Sequence, residues 1–195
     1  MKTSTSFLPF CRPLTAVLGA AALTATPAHA AFHLWSLHEL YSNPSGTVQY
    51  IELVDNVGGQ EFVGTQVLSV ANVGNTITHQ FTFPSNLGSD SFGHTMLLGT
   101  AGVAAAGGPT PDFIIPNGFL FNAGGSLSFF NASGAFGALP GDGTTSLNFP
   151  GGTLAPNSPK NFAGQTGQVP EPTTAALLAI GGIGLLSLRR RGSAV

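Results

Sequence analysis

Charge is scarce in this sequence. Of 195 residues only 7% are charged, against roughly 25% in an ordinary soluble protein. Basic residues are the scarcest. Five of the six (Lys2, Arg12, Arg189, Arg190 and Arg191) stand in the terminal segments. Between residues 31 and 169 one lysine, Lys160, is set against seven acidic side chains. Binding DNA or RNA needs several Lys or Arg to neutralise phosphates, so a nucleic-acid partner is excluded. Cysteine is nearly absent: Cys11 is the only one, and the body has none. That excludes a disulfide framework, a thiolate nucleophile and a Cys-ligated zinc or iron–sulfur site. Long helical periods are missing too. The 27 glycines and 14 prolines both disfavour helix interiors.

Among the features present, the two ends stand out first. Lys2 and Arg12 precede a mostly apolar stretch, 14–25, followed by Pro27 and by Ala28-His29-Ala30 before Ala31. A positive start, an apolar centre and a small-x-small site form the pattern of a secretory signal peptide. We expect a signal helix within 1–30 and cleavage marked by Ala28, Ala30 and Ala31. At the other end Pro170-Glu171-Pro172 leads into an apolar run, 173–188, closed by Arg189, Arg190 and Arg191. As a helix that run is about 24 Å long at about 1.5 Å per residue, short of the roughly 30 Å hydrocarbon core. Snorkelling arginines make up the difference, so a transmembrane helix is expected over 173–188. The arginines should stay cytoplasmic, with the body on the far side of the inner membrane.

Pro170-Glu171-Pro172, a short Gly- and Leu-rich span and a terminal arginine cluster, in that order, resemble the PEP-CTERM sorting signal. Proteins carrying it occur in Gram-negative bacteria that make exopolysaccharide. The resemblance implies recognition by an exosortase, removal of the tail and delivery to the cell envelope or extracellular matrix. The implied partners are the exosortase and export machinery, the inner membrane before processing, and exopolysaccharide afterwards.

The body reads as short apolar or alternating runs separated by turn residues. The runs are 32–41, 47–54, 66–73, 76–83, 94–99, 113–115, 119–121 and 126–130. In 47–54, Val48, Tyr50, Glu52 and Val54 share one face and Gln49, Ile51 and Leu53 the other. Asn43-Pro44-Ser45-Gly46 and Gly58-Gly59 are turn signals. Phenylalanines concentrate here and should build the core with Trp35, Tyr41 and Tyr50. The Ala- and Gly-rich stretch 99–111 reads as a loop. These features predict an all-β fold, an antiparallel β-sandwich. The expected division is signal peptide 1–30, sandwich 31–155, linker 156–169 and sorting signal 170–195. Val48-Gln49-Tyr50-Ile51-Glu52-Leu53, Phe81-Thr82-Phe83-Pro84, Met96-Leu97-Leu98-Gly99, Pro111-Asp112-Phe113 and Gly124-Gly125-Ser126-Leu127-Ser128-Phe129 resemble, in order, the lamin-tail type of immunoglobulin-like sandwich. That likeness implies an immunoglobulin-like fold and suggests binding or display.

Candidate chemistry is thin. A nucleophile elbow needs Gly-x-Ser-x-Gly, and the strings around Ser126 and Ser89 do not fit it. Glu39 and Glu52 lie on neighbouring predicted strands with Asp55 close to the second. Such carboxylates are the surface candidates for hydrolysis, since a glycosidase needs two about 5–10 Å apart. Acids at strand ends also keep sheet edges soluble. Asp55-Asn56 and Asp142-Gly143 could ligate calcium but form turns first, and the histidines lack zinc-site spacing. We expect no metal, no cofactor and no catalytic set. Trp35, Tyr41 and Tyr50 could stack on sugars, but core packing is their expected use. The reading is an exported, non-enzymatic envelope or matrix protein with a structural, adhesive or exopolysaccharide-associated role. The alternative is a secreted hydrolase of polysaccharide or phosphate esters.

Overall fold

The alternating runs of the body form strands. The structure is a computed structural model describing residues 34–169. The expected signal helix, its cleavage residues Ala28, Ala30 and Ala31, and the expected membrane span 173–188 lie outside the described residues. Among the described residues no helix is long and apolar enough to cross a membrane.

Strands β1 (Ser36–Ser42) and β2 (Gln49–Val54) pair as a hairpin. Its turn is held by Asn43, whose side-chain oxygen accepts the Thr47 and Val48 amides, a local bond that Asn offers readily. Strands β3 (Val67–Asn72) and β4 (Thr78–Thr82) repeat the device with Asn72. The chain continues through β5 (Thr95–Gly99), α1 (Ala101–Ala105), β6 (Phe113–Ile114), β7 (Gly125–Ser128), β8 (Gly134–Phe136), β9 (Thr145–Asn148) and β10 (Thr153–Pro156). Successive strand pairs alternate between two sheets, ordered β10-β9-β1-β2-β5-β6 and β4-β3-β7-β8. All pairings are antiparallel except β5–β6, which is parallel. Parallel neighbours need a crossover, and α1 supplies it within 99–111, the stretch expected to be a loop. Residues 119–121, expected as a strand, form none, although Phe119 and Leu120 are buried. Strands β8, β9 and β10 are too short and too Gly-rich at their edges to show a period in the sequence.

The inward faces meet in one core. Leu40, Ile51, Leu53, Met96 and Leu98 come from the six-stranded sheet, and Leu68, Val70, Leu127 and Phe136 from the four-stranded sheet. Trp35, Phe83 and Phe129 fill the space between. Each such side chain contributes about 1.5–3 kcal/mol on burial. Phe83 meets Phe113 edge to face at 4.9 Å, the arrangement favoured by ring quadrupoles. The mainly β body with two antiparallel-rich sheets is therefore as expected, and compatible with a sandwich.

The two outer faces differ. In β4 exposed Thr78, Gln80 and Thr82 alternate with half-buried residues, as on a solvated face. In β5 every residue is buried. The outer face of the six-stranded sheet carries a second cluster of Tyr41, Val48, Tyr50, Leu97, Val103 and Val169. It is covered by α1 and by residues 156–169. That last segment, expected as a linker, is packed: Asn157, Asn161 and Val169 are buried. Its polar composition suggested solvent. In the fold its polar groups are satisfied by acids of the sheet, by neighbouring loops and by one another instead.

Candidate functional site

Strand β1 contains one residue more than its partner. Leu37 pairs with Leu53 and Glu39 pairs with Glu52, leaving His38 as the insertion. Such a bulge bends the strand and re-aims side chains. Leu37 and Leu40 both pack on the main core, a spacing of three where regular alternation needs two. His38 and Glu39 are thereby both turned to the outer face, beside Glu52. His38 Nδ1 lies 2.8 Å from Glu52 Oε1.

Residues 156–169, hereafter the strap, lie across this face. The Ser158 amide donates to Glu39 Oε1 at 2.9 Å and the Ser158 hydroxyl to Oε2 at 3.1 Å. The Lys160 amide donates to Glu52 Oε2 at 2.7 Å. The Phe162 amide donates to both oxygens of Asp112, at 3.1 and 2.9 Å. Residues two apart on an extended chain point the same way. Amides 158, 160 and 162 therefore meet three acids carried by β1, by β2 and by the residue preceding β6. The strap crosses the strands on a ladder of carboxylates. Tyr50 donates its hydroxyl to Glu39 Oε1 at 2.5 Å, and the Leu97 amide donates to Asp112 at 2.8 Å. His94 stacks on Phe162 with ring centroids 4.5 Å apart, and its Nδ1 lies 2.8 Å from the Phe162 carbonyl oxygen.

The electrostatics follow from this geometry. The hydrogen bond to Glu52 raises the His38 pKa above the ordinary imidazole value, against the opposing effect of partial burial. Burial raises Asp112 above the usual carboxylate range, and its amide donors offset part of that. Burial, with the neighbouring Glu39, raises Tyr50 as well, so its hydroxyl stays protonated and donates. Hydrogen bonds to a charged acceptor stabilise by about 1.5–3 kcal/mol each, and at Asp112 they offset only part of the desolvation cost.

His38, Glu39 and Glu52 present ligand atoms within 4.8 Å of one another, a spacing a cation could bridge. Each carboxylate oxygen in that set already accepts a hydrogen bond from the protein. Glu39 and Glu52 are 0% and 1% exposed, so a sugar cannot reach them past the strap. The sequence placed these two acids on adjacent strands, and the structure pairs them directly. It also buries them, contrary to the expectation of surface carboxylates. Asp55 is buried as well, but it does not join the pair. It accepts the Val57 and Gly58 amides and the Ser91 hydroxyl, which ties two loops together. Asp142 likewise accepts the Thr144 and Thr145 amides of its own turn. Trp35, Tyr41 and Tyr50 are core residues, as expected. His38, Asp112, Asn157 and Ser158 were missed. A bulge leaves no mark in a hydropathy pattern, and an acid that serves a distant amide has no local signature.

A groove of about 590 Å³ opens beside β8 and the β9–β10 hairpin, lined by residues including Phe136, Leu147, Phe149 and Leu154. None of its lining residues is titratable, so it offers no acid or base. The sorting residues Pro170, Glu171, Pro172, Arg189, Arg190 and Arg191 lie outside the described residues. A family model described as the PEP-CTERM protein-sorting motif matches residues 168–191. No curated protein and no solved structure matches the chain.

Proposed function

We propose that this is a non-enzymatic display or matrix protein, an immunoglobulin-like sandwich exported by a signal peptide and placed in the envelope or outside the cell. Its sorting motif implies an exported protein processed by an exosortase, with transient membrane anchoring beforehand. The proposed role after processing is structural or adhesive, in contact with exopolysaccharide. One observation carries the choice over hydrolysis. The acids best placed for chemistry, Glu39 and Glu52, are sealed beneath the strap and committed to its amides and to side chains of the sheet. A low-charge surface poor in Lys and Arg suits contact with neutral polymer more than with phosphate.

The test is a panel of ester, phosphate and glycoside substrates, run with wild type and with Glu39→Gln and Glu52→Gln. No turnover is expected from any of the three. Turnover that disappears with Glu52→Gln would refute display and favour the hydrolase. Fractionation of the native host completes the test. Protein in the envelope or medium without its arginines is expected, and full-length protein held in the inner membrane would refute the sorting reading.

A further inference from the structure

We infer that the folded body sets the N-terminal limit of its own processing: the strap stays in the mature protein, which ends beyond Val169. The inference rests on the processing reading above and adds where the cut can fall. The matched motif begins at residue 168, yet Val169 is 0% exposed. Its side chain packs among Tyr41, Val48, Tyr50, Leu97 and Val103. Both of its backbone groups are taken by one side chain. Its amide donates to Asn157 Oδ1 at 2.7 Å, and its carbonyl accepts from Asn157 Nδ2 at 3.1 Å. The packing is tight, since a Cβ built on Gly108 would lie 2.8 Å from Val169 Cγ2. Between Asn157 and Val169 the strap doubles back, with Lys160 bridged to Thr166 and the Gly167 amide donating to the Pro159 carbonyl.

A peptidase binds its substrate extended, with several free residues before the scissile bond. The segment between Asn157 and Val169 is held back from that geometry, because its ends are pinned together and the amides of residues 158, 160, 161, 162, 164, 165 and 167 are hydrogen-bonded, with the tip 163–166 exposed. Cutting any bond from 157 to 162 would also remove one or more of the amide donors to Glu39, Glu52 and Asp112, leaving buried carboxylates short of partners. A cut beyond Val169 leaves the body sealed. In sequence, Pro170 follows directly, so the motif leaves the body without a spacer.

The experiment uses the full chain, purified in detergent, as wild type, Asn157→Ala and Val169→Ala. Each is digested with proteinase K and the resistant fragment is sized by intact mass, with Trp35 fluorescence reporting that each variant is folded. The wild-type fragment is expected to end a few residues beyond Val169. Both variants should lose the strap at least about tenfold faster, as expected when a local opening becomes cheaper. A wild-type fragment ending within 156–169, or variants trimmed no faster than wild type, would overturn the inference. Mass of the protein from its native host is the second arm. A mature end beyond Val169 supports the inference, and an end within 156–169 overturns it. A chain that keeps Arg191 refutes the processing reading and with it the cut, while the digestion arm still decides whether the strap is sealed.

Discussion

Replacing Glu39 by leucine tests the ladder at its most loaded rung. Glu39 accepts three hydrogen bonds, from the Tyr50 hydroxyl, the Ser158 amide and the Ser158 hydroxyl. Leucine fills similar volume and accepts none. A buried donor left without a partner costs about 1–3 kcal/mol. The Ser158 hydroxyl can rotate to another acceptor, so two donors carry most of the loss. Removing a buried carboxylate also returns part of its desolvation cost. The expected net destabilisation is about 2–4 kcal/mol. Glu39→Gln keeps an acceptor oxygen for Tyr50 or Ser158 and should cost about 1 kcal/mol. Urea unfolding reads both variants through the fluorescence of Trp35, the chain's single tryptophan, which is fully buried. With a slope of about 1–3 kcal/mol per molar urea, leucine should lower the midpoint by about 1–2 M and glutamine by much less. Exchange of the Ser158 amide should accelerate in the leucine variant, because its acceptor is gone. A leucine variant as stable as wild type, or a glutamine variant as damaged as the leucine one, would refute the claim that these hydrogen bonds seat the strap.

The pH dependence has a definite sign. His38 starts from an imidazole value of 6.5 and is raised in the fold, so its stabilising contribution is complete below 6.5 and disappears as pH climbs through the raised value. Asp112 is raised from 3.8 by burial. The folded state holds its proton more tightly than the unfolded one, so stability also falls as pH rises through that lower window. The urea midpoint should therefore be higher at pH 6 than at pH 8.5. Because His38 is 44% exposed, the change should be modest and should vanish in His38→Gln; the opposite slope would refute the His38–Glu52 pairing. Gly125→Ala addresses the other sheet. A Cβ at Gly125 would lie 2.0 Å from the Ala71 carbonyl oxygen, and both residues belong to the β3–β7 pairing. Backbone must move, so a loss of about 3 kcal/mol or more is expected, read as a fall in melting temperature; an unchanged melting temperature would refute the close approach.

Much of the six-stranded sheet was legible because its cause is local. In 47–54, Ile51 and Leu53 alternate with Tyr50 and Glu52, and the two faces separate in the fold as the pattern says. Turns announced themselves through Asn43 and Gly46. The pairing of Glu39 with Glu52 followed from one strand beside the next. The burial of both acids did not follow, because it depends on residues more than a hundred positions away. Ser158 and Lys160 carry no sign of which acids their amides will meet.

The sequence by itself determined the mainly β character of the body and the sorting motif at the C-terminal end. Those depend on composition, on period and on a contiguous string of residues. Only the tertiary structure decided that 156–169 packs against the sheet as a strap, that a bulge at His38 turns two adjacent side chains to one face, and that three acids accept hydrogen bonds from the strap's amides. Each of these depends on which distant amide reaches which carboxylate, and that is set by how the sheet folds the chain back on itself.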